Sequence, residues 1–138
     1  DEGVMWRRTT TKPAADWMAP NFNASGWSER PGGFGTAGTP GAIVRTTWNT
    51  GDIWLRREFN VTNLPAGTPF LRMHHDEDAE VYLNGVLAAS VTGYTTSYRA
   101  FSISPEAAAT LKKGKNVLAV HCRQTTGGQY IDVGLGIR

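Results

Sequence analysis

Apolar and polar residues alternate in short runs along this chain, and no long stretch repeats its apolar positions at helical spacing. Successive side chains of a strand point to opposite faces, so a two-residue alternation marks a half-buried strand. By that criterion strands are expected at Val4–Thr9, Ile43–Trp48, Ile53–Val61, Phe70–His75, Ala79–Leu83, Val86–Val91, Tyr98–Ile103, Val117–Arg123 and Tyr130–Ile137. Between two of these runs stands Asn84-Gly85, a pair suited to a two-residue type I′ hairpin because both of its central positions need positive φ. One short helix is expected near 105–113, where Ser104 can cap, Pro105 takes the first helical position, lysines follow and Gly114 stops the turn. The segment Pro31–Gly41 is so rich in Gly and Pro that no regular structure is expected there.

The succession of short strands with a single helix predicts an all-β fold, a jelly-roll-like antiparallel β-sandwich. The same alternation sorts the strands into two faces. Leu55, Phe59, Leu71, Met73, Val81, Leu83, Leu118, Val120, Cys122, Ile131, Val133 and Leu135 form a coherent apolar set and are assigned to the core. The opposite positions hold Trp54, Arg56, Glu58, Arg72, His74, Glu80, Tyr82, His121, Arg123, Tyr130 and Asp132. A face that merely meets water accounts for polarity. This one mixes aromatic rings with flat hydrogen-bonding groups, a combination that suits sugars, whose C–H faces lie on rings while hydroxyls pair with Arg, Asp, Asn and His.

Composition narrows the options. A length of 138 residues suits one domain, 1–138, and 40% hydrophobic against 19% charged residues excludes a disordered chain. The net charge of +2 comes from Lys and Arg scattered in ones and twos, which argues against nucleic acid as a partner. No apolar run is long enough for a membrane span, and the segment DEGVMWRR lacks the apolar core of a signal peptide. Because the chain begins with Asp1 rather than Met, it is expected to be a piece excised from a larger multidomain protein. The single cysteine, Cys122, has no internal disulfide partner and reads as a buried small hydrophobe.

Several motifs invite catalytic or metal chemistry. The run Asp76-Glu77-Asp78 offers closely spaced carboxylates, but lacks the glycine and distal glutamate of an EF-hand loop, so a solvated turn is the stronger expectation. His74 and His75 must point to opposite faces, which leaves His74 as the partner of His121 by parity but supplies too few ligands for zinc. Glu58, Glu80 and Asp132 fall on one predicted face, as a pair of glycosidase carboxylates would, yet so small a domain offers little to wall in a substrate. No G-x-S-x-G elbow is present. Among five tryptophans, Trp17 and Trp27 are expected as packing anchors and Trp48, near a turn, as exposed.

The stretches IWLRREF (53–59), DEDAEVYLNGVLAA (76–89), the Gly93-Tyr94 loop with Tyr98, GKNVLAVHC (114–122) and GGQYIDVGL (127–135) resemble the galactose-binding-domain-like β-sandwiches. In particular they resemble the sugar-binding or jelly-roll domains of family-two glycoside hydrolases and related carbohydrate-binding modules of bacterial polysaccharide-degrading enzymes. The resemblance runs from Trp6 to Leu135, and its most specific element is the strand, Asn-Gly, strand unit followed by Gly-Tyr. It implies a non-catalytic module that binds a poly- or oligosaccharide and targets a covalently linked catalytic domain, or one that braces such a domain without binding glycan. It also implies a secreted, periplasmic or cell-surface location in a bacterium. Many relatives in that superfamily hold a structural calcium ion, and the resemblance implies that one could be present here; no ligand set for it is matched, no cofactor is required, and metal ligands stay unassigned. For the carbohydrate site the expected residues are Trp48, Arg56, Arg72, His74, Tyr94, His121, Arg123, Gln129 and Tyr130.

Overall fold

The computed structural model describes residues 3–138, with Asp1 and Glu2 outside the described residues. Its strands are β1 (Met5–Thr9), β2 (Ser28–Pro31), β3 (Phe34–Gly35), β4 (Thr46–Thr47), β5 (Asp52–Val61), β6 (Pro69–Asp76), β7 (Asp78–Leu83), β8 (Val86–Val91), β9 (Arg99–Ser102), β10 (Gly114–Arg123) and β11 (Tyr130–Ile137); one short helix, α1 (Pro105–Ala108), precedes β10. They form a six-stranded sheet in the order β2-β1-β5-β10-β7-β8 and a five-stranded sheet in the order β4-β3-β11-β6-β9. All pairings are antiparallel except β3 with β4. The two sheets face each other as the β-sandwich that the alternation predicts.

The register explains the core. Leu55 and Val81 both lie opposite Val120, Ile53 and Ala79 opposite Cys122, and Leu83 opposite Leu118. In the other sheet Met73 lies opposite Val133 and Leu71 opposite Leu135. These residues and Phe34, Trp48 and Ile131 make one apolar cluster, with Phe59 and Leu135 packed at its margin. Every residue assigned to the core from alternation is in that cluster or against it. Burying each such aliphatic side chain contributes roughly 1.5–3 kcal/mol, which offsets the entropy of ordering the chain.

The Asn84-Gly85 hairpin forms as expected, with φ of 50° and 85°. The helix is shorter than expected: Ser104 caps it by accepting the Ala107 N–H, but it ends at Ala108 rather than near 113. Carbonyls at and beyond its end accept from side chains instead. Asn84 donates to the Thr110 carbonyl, Asn116 donates to that of Lys112, and the Thr110 hydroxyl donates to that of Ala107.

The segment between Pro31 and Trp48 departs most from expectation. Phe34–Gly35 forms a strand inside the stretch expected to be irregular, and the expected strand Ile43–Trp48 shrinks to Thr46–Thr47. The Gly33 carbonyl accepts the N–H groups of Arg45 and Thr46, and that of Gly35 accepts the Trp48 N–H. On its other side Gly35 allows β3 to approach β11 closely, because a Cβ there would overlap the Gln129 carbonyl oxygen. Phe34 is fully buried, so the glycines set the backbone while one phenylalanine anchors it.

Candidate functional site

The predicted polar face is not one surface. Trp54, Arg56, Glu58, Glu80, Tyr82, His121 and Arg123 belong to the six-stranded sheet, whereas Arg72, His74, Tyr130 and Asp132 belong to the five-stranded sheet. With the core between the sheets, the two sets look away from each other. His74 and His121 therefore do not meet, and Asp132 does not share a face with Glu58 and Glu80. Alternation separates inside from outside but is silent about which outside.

On the six-stranded sheet the cross-strand register sets His121 beside both Trp54 and Glu80. The imidazole stacks on the Trp54 ring with centroids 4.7 Å apart and planes 2° from parallel. Its Nε2 lies 2.7 Å from Asp52 Oδ1 and its Nδ1 3.3 Å from Glu80 Oε1, so one ring bridges two carboxylates. Trp17 packs edge-on against Tyr82 and His121, at 5.5 Å and 6.4 Å. Beside His121, a polar cleft of about 220 Å³ is lined by Asp78, Glu80, Ser90, Thr92 and Arg123. Arg123 reaches Asp78 at 3.4 Å across this cleft.

Arg56 is 4% exposed. Its Nη1 donates to the carbonyls of Trp17 and Ala19, both at 2.8 Å, and its Nη2 lies 3.5 Å from those of Pro20 and Phe22. The Phe22 ring sits 5.5 Å from the guanidinium. One arginine thus holds a coil segment with no long-range backbone ladder of its own, and Trp17, Met18, Phe22 and Trp27 of that segment join Trp54 and Ala119 in a second apolar cluster. Trp17 and Trp27 act as the packing anchors expected of them.

On the five-stranded sheet His74 lies opposite Asp132. Its ring is fully buried, 4.7 Å from Tyr130 and 5.7 Å from Tyr98 by centroid. Neither ring nitrogen has a hydrogen-bond partner among the described residues. Burial pulls its pKa below the ordinary value, so the ring is held neutral. Tyr98 donates its hydroxyl to Asp132, and Tyr130 donates to the Ile43 carbonyl at 2.9 Å. Burial raises the Asp132 pKa. Gly41, where a Cβ would overlap the Thr96 carbonyl, brings the loops around residues 36–45 and 92–98 together over His74.

The remaining candidates divide between anchor and surface. Trp48 is 1% exposed, a correction to its expected exposure. Its Nε1 lies 3.1 Å from Thr50 Oγ1 and 3.2 Å from the Asp52 carbonyl, so the turn folds over the ring. Gln129 is buried, donating its side-chain amide to the Thr50 carbonyl and its backbone N–H to Thr39 Oγ1. Tyr94 is 66% exposed at the loop rim, and Arg72 is exposed beside Tyr98.

The acidic run does not fit a calcium cradle. Glu77 accepts from the hydroxyl and N–H of Thr125 and the N–H of Thr126, while Asp78 accepts from the Gly93 N–H and from Arg123. Asp76 turns inward, and burial with the neighbouring Glu77 charge raises its pKa to about 6. Among the described residues no three His, Cys, Asp or Glu side chains are grouped as a metal would need. Asp52, the acid on His121, was missed from the sequence because it stands at a strand start where alternation has not begun.

No protein-family profile matches the chain, and no curated protein matches it in sequence. Solved structures do. A family-2 glycosyl hydrolase from Bacteroides cellulosilyticus matches 96% of this chain with 20% of its own, at 16% identity and a TM-score of 0.67. A Bacteroides uniformis β-glucuronidase matches 96% with 17% of its own, at 22% identity and 0.65. A further β-glucuronidase of glycoside hydrolase family 2 matches 91% with 14% of its own, at 20% identity and 0.59. The chain thus has the β-sandwich fold found within family-2 glycoside hydrolases, and spans a fifth or less of those chains.

Proposed function

We propose that this chain is a non-catalytic accessory module of a larger glycoside hydrolase, bracing a covalently linked catalytic domain. The observation that carries this reading is the extent of the match: nearly all of this chain corresponds to a small part of those enzymes. The chemistry of the two faces agrees with it. Asp52 and Glu80 are both bonded to His121, and Asp132, half-buried on the other sheet, accepts the Tyr98 hydroxyl, so no two of these carboxylates stand free across a common substrate site. The aromatic rings nominated for stacking on sugar are mostly covered, with Trp48 and Tyr130 in the interior.

A second reading, direct glycan binding that targets the enzyme to a polysaccharide, is favoured by one place. The cleft at Asp78, Glu80, Ser90, Thr92, His121 and Arg123 is polar and open, and Tyr94 is an exposed ring on the loop that follows Thr92. Affinity gel electrophoresis against plant, algal and host polysaccharides separates the two. The bracing role predicts unretarded migration. Saturable retardation lost in Arg123→Ala and Tyr94→Ala would establish the targeting role instead.

A further inference from the structure

Where the two sheets and the covering loop meet, three arginines line one cavity of about 150 Å³: Arg57 from β5, Arg72 from β6 and Arg45 from the coil before β4. Tyr98, Asp132 and Gly134 complete the wall. A guanidinium carries five N–H donors in a rigid fork. Among the described residues the three together make one side-chain hydrogen bond, from Arg45 Nη1 to the Gly32 carbonyl at 3.3 Å. None of them forms an ion pair with a described carboxylate within 4.0 Å.

The guanidinium groups are nevertheless held in place. That of Arg57 lies 5.8 Å from the Trp6 ring and 5.6 Å from the Phe59 ring, and that of Arg72 lies 5.4 Å from the Tyr98 ring. The Nε of Arg57 is closed off from water and has no partner among the described residues. A buried donor without a partner costs free energy, and three half-buried or exposed guanidinium groups gathered on one wall repel one another unless an anion lies among them. Among the described residues the one acid in the wall is Asp132, which accepts the Tyr98 hydroxyl and forms no ion pair within 4.0 Å with any of the three arginines.

We propose that this cavity is a binding site for a small oxyanion, of the carboxylate or sulfate type, held by the forks of Arg45, Arg57 and Arg72. Planar or tetrahedral oxygens match guanidinium donors two at a time. A volume of about 150 Å³ is below the roughly 300–1,000 Å³ of sites that enclose drug-sized ligands, so the guest is an ion or a single acidic group rather than a saccharide chain. The anion is either free in solution or a carboxylate of the chain itself.

The probe is sodium sulfate, titrated against sodium chloride at matched ionic strength, with the melting temperature of the full chain followed by differential scanning fluorimetry and binding by calorimetry. The expected result is a sulfate-specific rise in melting temperature that saturates. In Arg45→Gln/Arg72→Gln the apparent affinity should weaken at least tenfold, whereas Arg99→Gln, an exposed arginine outside the cavity, should behave like the parent. If the double variant does not fold, Arg72→Gln alone, at an exposed position, should weaken affinity severalfold. In Asp1→Asn/Glu2→Gln, unchanged affinity identifies a site for a free oxyanion, and a severalfold gain identifies competition by the chain's own acidic residues. A rise that does not saturate, or that is equal in the parent and the arginine variants, overturns the site.

Discussion

The outer faces of the two sheets are both covered by coil, but by opposite chemistry. Over the six-stranded sheet a charged side chain, Arg56, satisfies four backbone carbonyls of the N-terminal segment. Over the five-stranded sheet a neutral ring, His74, lies beneath two loops with both nitrogens unpartnered among the described residues. A buried charge is tolerable when hydrogen bonds surround it, and a buried polar group without them costs stability and resists ionisation. The first cover is a clamp in which Arg56 itself keeps its charge throughout mild acid. His74, held neutral by burial, should make the second cover pH-sensitive.

The largest expected effect comes from breaking the clamp. Arg56→Ala strands the Trp17 and Ala19 carbonyls and removes the cation over Phe22, which should destabilise the fold by about 3 kcal/mol. Arg56→Lys should recover less than half of this, because an ammonium cannot span the same carbonyls. Urea unfolding at pH 7 reads both, and proteolysis should cut the segment around residues 14–27 first. An unfolding midpoint of Arg56→Ala within error of the parent would remove the clamp from the account.

The equivalent cut on the other face is smaller. Tyr130→Phe loses the single hydrogen bond to the Ile43 carbonyl and should cost about 1 kcal/mol. His74→Phe, which replaces an unsatisfied ring by an apolar one among Tyr98 and Tyr130, should be neutral or stabilising by up to about 1 kcal/mol at pH 7.

The pH dependence sharpens the contrast. The folded pKa of His74 lies below its ordinary value, so the unfolded chain binds more protons in the window just below about 6.5. Its contribution to stability is present above that pH and lost as pH falls toward the folded pKa. His74→Phe should flatten this limb, while Arg56→Lys should leave it unchanged. Asp76 acts in the opposite sense. With its pKa raised from 3.8 to about 6, the folded chain binds the extra proton, and the contribution present below 3.8 is lost as pH rises through about 6. Asp76→Asn should remove that loss, measurable as a shallower fall in urea midpoint between pH 4 and 6.

The smallest effect belongs to the charges at the open end of the six-stranded sheet. Asp52→Asn breaks the pair with His121, whose side chains are 37% and 22% exposed. It should cost no more than about 1 kcal/mol. Raising salt to about 1 M should reduce that difference between Asp52→Asn and the parent, since partly exposed pairs are screened.

Much of the fold was legible because alternation is a local property. Leu55, Val81 and Val120 announce their inward orientation whichever strands they meet, and Asn84-Gly85 specifies its turn through its own backbone. The candidate site was legible only in part. Arg72 and Arg56 occupy outward positions on their strands, yet one belongs to each sheet. Trp48 sits three residues before Gly51-Asp52 at a turn, but the turn folds back over its ring. Arg56 looks like any outward arginine until the segment it holds is in place.

The chain by itself determined which side chains point inward, where the hairpin turns and where the helix begins, because each follows from the preferences of a few consecutive residues. Only the tertiary structure decided which sheet each strand joins, and hence that one predicted face is two. It also decided that glycines at 33 and 35 make room for Gln129 and Tyr130 beside β3, that His74 is sealed in, and that Arg45, Arg57 and Arg72 share a cavity. Those outcomes depend on contacts between residues far apart in sequence, and local periodicity contains no term for them.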